Sequence, residues 1–217
     1  MDRFFNLNNP IWKFVGNMAD FFILSMLWYL CSLPLFTIGA STAALYYVTL
    51  KMASEQEGKI TQQFFQAFRE NFRQSTLIWL ITATIGIILS IDLYYALHAG
   101  TDFASAMLII SAVVGVLYLC METFIFVLVA RVRNTTTAIV RITGGMVVQN
   151  FMPIFTGVIV YAGFLGAGLF LFWPLLVLFP GMPAYLNSLL YNRILAKYHL
   201  NLVDQDPPGS SLDESGR

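Results

Sequence analysis

The chain has 217 residues, of which 58% are hydrophobic and only 11% charged, with twelve Lys and Arg set against twelve Asp and Glu. With a mean hydropathy of +0.70 there is too little polar surface to cover a water-soluble globule of this size, so an integral membrane protein with the lipid bilayer as its first partner is expected. Zero net charge offers nothing to nucleic acid, and none is expected as a partner.

The basic residues avoid three stretches, Phe14–Leu50, Gln74–Ala130 and Ile142–Asn192, of 37, 57 and 51 residues. Basic residues stay on the cytoplasmic side of a bilayer, so an apolar stretch bounded at both ends by Lys or Arg leaves that side and returns. The expectation is an all-α polytopic transmembrane bundle. It has about six spans in three hairpins, at about 17–36, 38–52, 76–97, 103–130, 151–173 and 175–195, and both termini are cytoplasmic. Residues 1–203 read as a single transmembrane domain.

Met1–Lys13 mixes Phe4, Phe5, Ile11 and Trp12 with Asn and two basic residues, which suits a segment at the headgroup level. No cleavable signal is expected, because Leu33-Pro34-Leu35 stands where a small-residue cleavage site would be sought. Pro34 and Gly39 mark the turn between the first two segments. The second, 38–52, is short: fifteen residues give roughly 22 Å against a hydrocarbon core of ~30 Å. It thins the bilayer, borrows length from the turn, or re-enters without crossing, and a full crossing is favoured because it keeps Arg3 and Lys13 with the other basic residues.

From Lys59 to Arg73 the pattern becomes amphipathic. Phe64, Phe65, Phe68 and Phe72 share one helical face and Gln62, Gln66, Arg69, Glu70 and Arg73 the other, which predicts a cytoplasmic interfacial helix over 59–73. Phe64, Phe68 and Phe72, with Arg69 and Arg73, form a candidate binding face for the membrane surface, for the bundle's own cytoplasmic end, or for a partner. The second hairpin follows and closes on Arg131-Val132-Arg133-Asn134. Residues 135–150, with the run Thr135-Thr136-Thr137, Arg141 and Gly144-Gly145, read as a polar inner connection. The glycine-rich fifth span carries two small-xxx-small pairs, Ala162 with Gly166 and Gly163 with Ala167, which favour close helix packing inside the bundle or in a homo-oligomer. Pro180, Gly181 and Pro183 should break the last segment. Residues 204–217, rich in Asp, Pro, Gly and Ser, read as a disordered tail.

Glu122 stands nine positions before Arg131, roughly 13 Å into the membrane from that anchor. A carboxylate there costs about 2.5 to 3.5 kcal/mol on insertion scales, so it must face the bundle, carry a proton or find a donor. It reads either as a proton- or cation-coupled site or as a hydrogen-bonded structural group. Asp92, six residues before His98, is the other intramembrane acidic candidate and lies closer to interfacial water. His98 and His199 fall near opposite faces, and Cys31 and Cys120 lie in apolar segments as small hydrophobes, so no metal site is expected. There is no Walker A, HExxH or GxSxG sequence. No catalytic residue, no cofactor and no enzymatic activity are expected.

The run Leu30-Cys31-Ser32-Leu33-Pro34-Leu35-Phe36-Thr37-Ile38-Gly39-Ala40 continues to Ala43-Ala44-Leu45-Tyr46-Tyr47-Val48. With Glu57-Gly58, Phe64-Phe65, Ala67-Phe68, Asn71-Phe72 and Gln74-Ser75-Thr76-Leu77-Ile78-Trp79, it resembles the YesL-like family of bacterial membrane proteins of unknown function. The match is specific over Leu30 to Leu80. Further on, the family tends to an aromatic residue followed by Glu-Asn where this chain has Arg131-Val132-Arg133-Asn134. The resemblance implies a Gram-positive plasma membrane and an accessory role beside subunits of carbohydrate ABC uptake systems, with the Phe64/Phe68/Phe72 face as the docking surface. The alternative from the residues themselves is a small secondary transporter or channel working through Glu122.

Overall fold

The computed structural model describes residues 10–54, 58–98, 102–171 and 175–198. Most of the expected headgroup segment, His199 and the 204–217 tail lie outside them. The described residues form helices and turns with no strand, in the order α1 (Pro10–Cys31), a 3-10 turn (Leu35–Thr37), α2 (Ile38–Ala53), α3 (Ile60–His98), α4 (Asp102–Arg131), α5 (Thr136–Gln149), α6 (Phe151–Phe170), α7 (Leu175–Leu178) and α8 (Gly181–Lys197). The all-α bundle expected from composition is what folds. Three helices, Ile60–His98, Met107–Arg131 and Phe151–Phe170, are long and apolar enough to cross a membrane.

The short segment is the centre of the molecule. Every residue of α2 from Ala43 to Leu50 is buried, and α2 packs on α1, α3, α4 and α8. A helix of ~24 Å cannot span the hydrocarbon by itself, but one enclosed by other helices has no lipid to match. Its amino-terminal half, Gly39-Ala40-Ser41-Thr42-Ala43-Ala44, is made of small side chains that let neighbouring backbones approach. A Cβ on Gly39 would run into the Ser75 carbonyl oxygen and lie 2.6 Å from Trp79 Cβ. The turn before it is tied down by Thr37, whose hydroxyl lies 2.5 Å from the Cys31 carbonyl and 2.6 Å from that of Pro34. This satisfies carbonyls that the end of α1 leaves open.

The expected interfacial helix over 59–73 does not exist as a separate element. It is the first part of α3, which runs unbroken for 39 residues, about 58 Å. Gln74 and Ser75 contain nothing that breaks a helix, and α2 supplies a partner along the first half: Phe64, Ala67, Ser75 and Ile78 form the buried stripe at helical spacing. The Trp79 indole donates to the Leu35 carbonyl at 2.9 Å, so the α1–α2 turn is level with Trp79. From there nineteen residues carry α3 about 28 Å further to His98. The first hairpin therefore stops well short of the second, and its tip is apolar and uncovered, with Leu33 and Leu35 each 76% exposed.

Residues 136–149, expected as a polar connection, form a helix. Ile139, Thr143, Met146 and Val147 make a buried face that packs on α4, and this outweighs the roughly 1 kcal/mol per residue that Gly144 and Gly145 cost a helix. Gly163 and Gly166 of the small-residue pairs face open space, whereas Gly157 and Gly168 of α6 meet Tyr191 and Leu176. The last segment breaks between α7 and α8 as its prolines require. Pro183 sits in the first turn of α8, where a missing backbone donor costs nothing. The Gly181 N–H donates to Ser25 Oγ of α1 at 3.1 Å.

At the opposite end, Arg131 donates to Asn192 Oδ1 at 3.0 Å. Asn192 in turn reaches the Leu50 carbonyl and Ser54 Oγ, joining the carboxy ends of α2, α4 and α8. Arg133 pairs with Glu70 at 2.8 Å, and Gln74 donates to the Asn134 carbonyl at 2.8 Å. The segment just after α4 is thus bonded to the first half of α3.

Candidate functional site

Glu122 lies on α4 where this helix turns from exposed to buried: most of Ile109 to Leu119 faces outward, and Phe124 to Ala130 is buried without interruption. The carboxylate borders a pocket of about 210 Å³ that opens to the surface of the bundle. Trp28 from α1, Thr42, Leu45 and Tyr46 from α2 and Trp79 from α3 form one side. Thr123, Phe126, Tyr161, Phe179 and Pro180 complete it. The α7–α8 break thus supplies part of the wall. No Lys or Arg lines it.

The cavity's other polar groups are mostly engaged with one another. Trp28 Nε1 donates to Thr42 Oγ1 at 3.1 Å, and Thr42 also donates to the Ile38 carbonyl at 2.8 Å. The Tyr46 hydroxyl donates to that of Tyr161 at 3.1 Å and also meets the Asn187 side chain. Thr123 bonds back to the Leu119 and Cys120 carbonyls, both at 3.1 Å. Around Glu122 itself, the Thr82 hydroxyl is within hydrogen-bonding reach, while Oε2 is buried and has no partner among the described residues. A buried carboxylate oxygen without a donor is costly as an anion.

The same side chain also borders a second cavity, an apolar cleft of about 320 Å³ between α3 and α4 that α5 closes at one edge. Ile81, Ile85, Val114 and Leu117 form its walls, and Thr82, Tyr118 and Glu122 its polar floor. The Tyr118 hydroxyl donates to the Thr82 carbonyl at 3.0 Å. Glu122 therefore borders both an aromatic chamber and a cleft whose outer wall is made of exposed aliphatic residues.

The other expected site residues do not converge here. Asp92 is half-buried on the distal part of α3, ten residues and about 15 Å beyond Thr82. Phe64 is fully buried in the core, and Phe68 packs against it. Phe64 and Phe68 stack at 6.4 Å and 15°, and Phe68 meets Phe72 edge-on at 5.5 Å. Phe64 is thereby docked on the bundle itself, whereas Phe68 and Phe72 stay half-buried. What remains open on this part of α3 is the flank formed by Thr61, Gln62, Phe65, Gln66, Arg69 and Glu70, while Arg73 is exposed one turn further on. The His98 ring lies on Tyr94 at 4.3 Å with Nδ1 2.8 Å from its carbonyl oxygen. Among the described residues no three His, Cys, Asp or Glu side chains come close enough to hold a metal ion.

Sequence reasoning found Glu122 but not its chamber. Trp28, Tyr46, Trp79 and Tyr161 come from four different helices and share no spacing. One signal was present: Tyr and Trp belong at the membrane interfaces, and Tyr46 and Tyr161 stand well inside apolar segments, where each hydroxyl must find a partner.

Residues 21–93 match a family described as protein of unknown function, DUF624. The matched span runs from α1 to the distal part of α3 and contains the Leu30–Leu80 run that resembles the YesL-like family. No match is found among curated proteins or among solved structures.

Proposed function

We propose that the protein is a small membrane transport protein that exchanges a proton or another monovalent cation at Glu122. The observation that carries this reading is the Glu122 carboxylate on the wall of an aromatic pocket, with Oε2 buried and without a partner among the described residues. The groups facing it are the Thr82 hydroxyl of α3, Tyr118 on its own helix, and across the chamber Tyr46 of α2 and Tyr161 of α6. None of these is a cation, so the positive charge must arrive from outside the protein. In proteoliposomes under an imposed pH gradient, the intact protein should dissipate the gradient, and Glu122→Gln should cut the rate at least tenfold. Equal rates in the two proteins would remove Glu122 from the mechanism.

A second reading is an accessory subunit of a carbohydrate ABC uptake system in a bacterial plasma membrane. Its support is the family resemblance together with the open flank of α3, where Phe65 is 43% exposed between Gln62, Arg69 and Glu70. The docking residue then becomes Phe65, because Phe64 is buried in the core and Phe68 packs against it. A photo-crosslinker at position 65 should trap a transporter subunit in cells, whereas one at position 64 should not; recovery of this chain alone from position 65 would end the accessory reading.

A further inference from the structure

The chamber beside Glu122 has a chemical bias of its own. Six of its lining side chains are aromatic, Trp28, Tyr46, Trp79, Phe126, Tyr161 and Phe179, and a ring face attracts a cation through its quadrupole. A polyol such as a sugar would need many donors and acceptors to replace its water. Here Thr42 is committed to Trp28 and to the Ile38 carbonyl, the Tyr46 proton to Tyr161, and Thr123 to its own helix. What the chamber offers a ligand is one carboxylate with an unpartnered oxygen, the Tyr161 hydroxyl and a wall of π faces. Its volume of about 210 Å³ corresponds to roughly seven waters at liquid density, enough for an ammonium head with a short apolar arm.

The chamber is itself open to the surface of the bundle, and a second cavity beside it offers an apolar approach. The α3–α4 cleft is lined almost wholly by aliphatic side chains, lies on the exposed flank of the bundle, and shares Glu122 with the chamber. A hydrated metal ion or a sugar has no reason to enter an apolar slot, whereas an amphiphilic cation already dissolved among acyl chains does.

We infer that the chamber binds a lipophilic organic ammonium ion, with Glu122 as its counter-ion and the aromatic side chains as its cage, and that the ligand enters from the bilayer through the α3–α4 cleft. This rests on the reading of Glu122 as a cation-exchanging group. The test uses the full-length protein in detergent, benzyltrimethylammonium as the probe, and its neutral carbon isostere neopentylbenzene as the control, with binding followed by calorimetry and Trp fluorescence. The ammonium should bind one to one and at least tenfold more tightly than the isostere, and Glu122→Gln should remove that preference. Leu117→Trp, which fills the cleft without touching the chamber, should slow association and dissociation alike by tenfold or more and leave Kd unchanged.

Equal affinity for the cation and its isostere overturns the ligand class, and unchanged rates in Leu117→Trp overturn the route. If Glu122→Gln does not fold, the comparison of the two probes on the intact protein still decides the class. Loss of proton flux in Glu122→Gln without any ammonium binding to the intact protein refutes this inference alone. Unaltered flux refutes the transport reading beneath it.

Discussion

α2 and the distal half of the α3–α4 hairpin invert the usual link between hydropathy and burial. The three helices that pass the length and hydropathy criteria for a membrane span bury only 6%, 39% and 17% of their most apolar windows. α2 is too short to qualify, yet it is enclosed on nearly every side. Lipid is as apolar as Leu, so a surface facing acyl chains is satisfied by Ile, Leu and Val, as at Ile87, Ile88 and Ile91 on α3 and Ile109, Ile110 and Val113 on α4. A helix surrounded by helices gains instead from small side chains and internal hydrogen bonds. α2 supplies them through Gly39, Ala40 and Ala43 and through the Thr49–Ser188 bond at 2.8 Å. The most hydrophobic parts of this chain are its periphery, and its moderately hydrophobic, small-residue segment is the centre.

Substitutions at glycines give the strongest test of this contrast. Gly39→Ala puts a methyl against the Ser75 backbone and Trp79 Cβ, neither of which can rotate away, and should cost about 3 kcal/mol or more. The midpoint of thermal or denaturant unfolding in detergent reads this directly, and a midpoint equal to the parent's would mean that α2 is not held against α3. Gly157→Ala meets the Tyr191 hydroxyl and ring, which belong to a side chain that can move, so a loss of about 1 to 2 kcal/mol is expected. Tyr191→Phe should recover part of it in a double-mutant cycle; a strictly additive pair would separate the two residues.

A smaller effect is predicted at the hairpin tips. Leu33→Cys and His98→Cys both place a thiol on an exposed turn-proximal position. With the first hairpin ending at the level of Trp79, a membrane-impermeant maleimide in intact cells should label position 98 several-fold faster than position 33. Equal labelling would show that both tips reach water. At the low end, Gly115→Ala introduces a Cβ that meets nothing within 4 Å and should leave stability unchanged or raise it by up to about 1 kcal/mol through helix propensity. Glu70→Gln removes an exposed ion pair with Arg133 and should cost less than about 1 kcal/mol. A large loss from either would place an unseen partner on the hairpin or its base.

How legible the molecule was depends on whether a feature is local. The ends of α4 could be read from charge and hydropathy, because they follow from the cost of placing Arg131 or Asp102 in hydrocarbon. The break at Pro180 was legible because a missing N–H acts where it stands. α5 was not: Gly144-Gly145 and the run Thr135-Thr136-Thr137 argue for a connection, and only the surface of α4 makes the stripe from Ile139 to Val147 worth forming. The unity of α3 was missed for a related reason. The change from a polar to an apolar pattern near Arg73 looked like a boundary between elements, whereas it marks a change in what the helix lies against.

The order of residues alone determined that this chain is too apolar for a water-soluble globule, that it is helical, that its basic residues gather in four groups along the sequence, and that Glu122 needs a proton, a donor or a cation. Each of these is a cost levied on one residue or one segment by water and lipid. Tertiary structure decided which helix is central, that Phe64 turns inward, and that Trp28, Tyr46, Trp79 and Tyr161 meet around one carboxylate. Those outcomes depend on which surfaces find each other across more than a hundred residues of sequence. In a membrane, where apolar side chains are nearly as well served by lipid as by protein, it is the small and polar residues that make that choice.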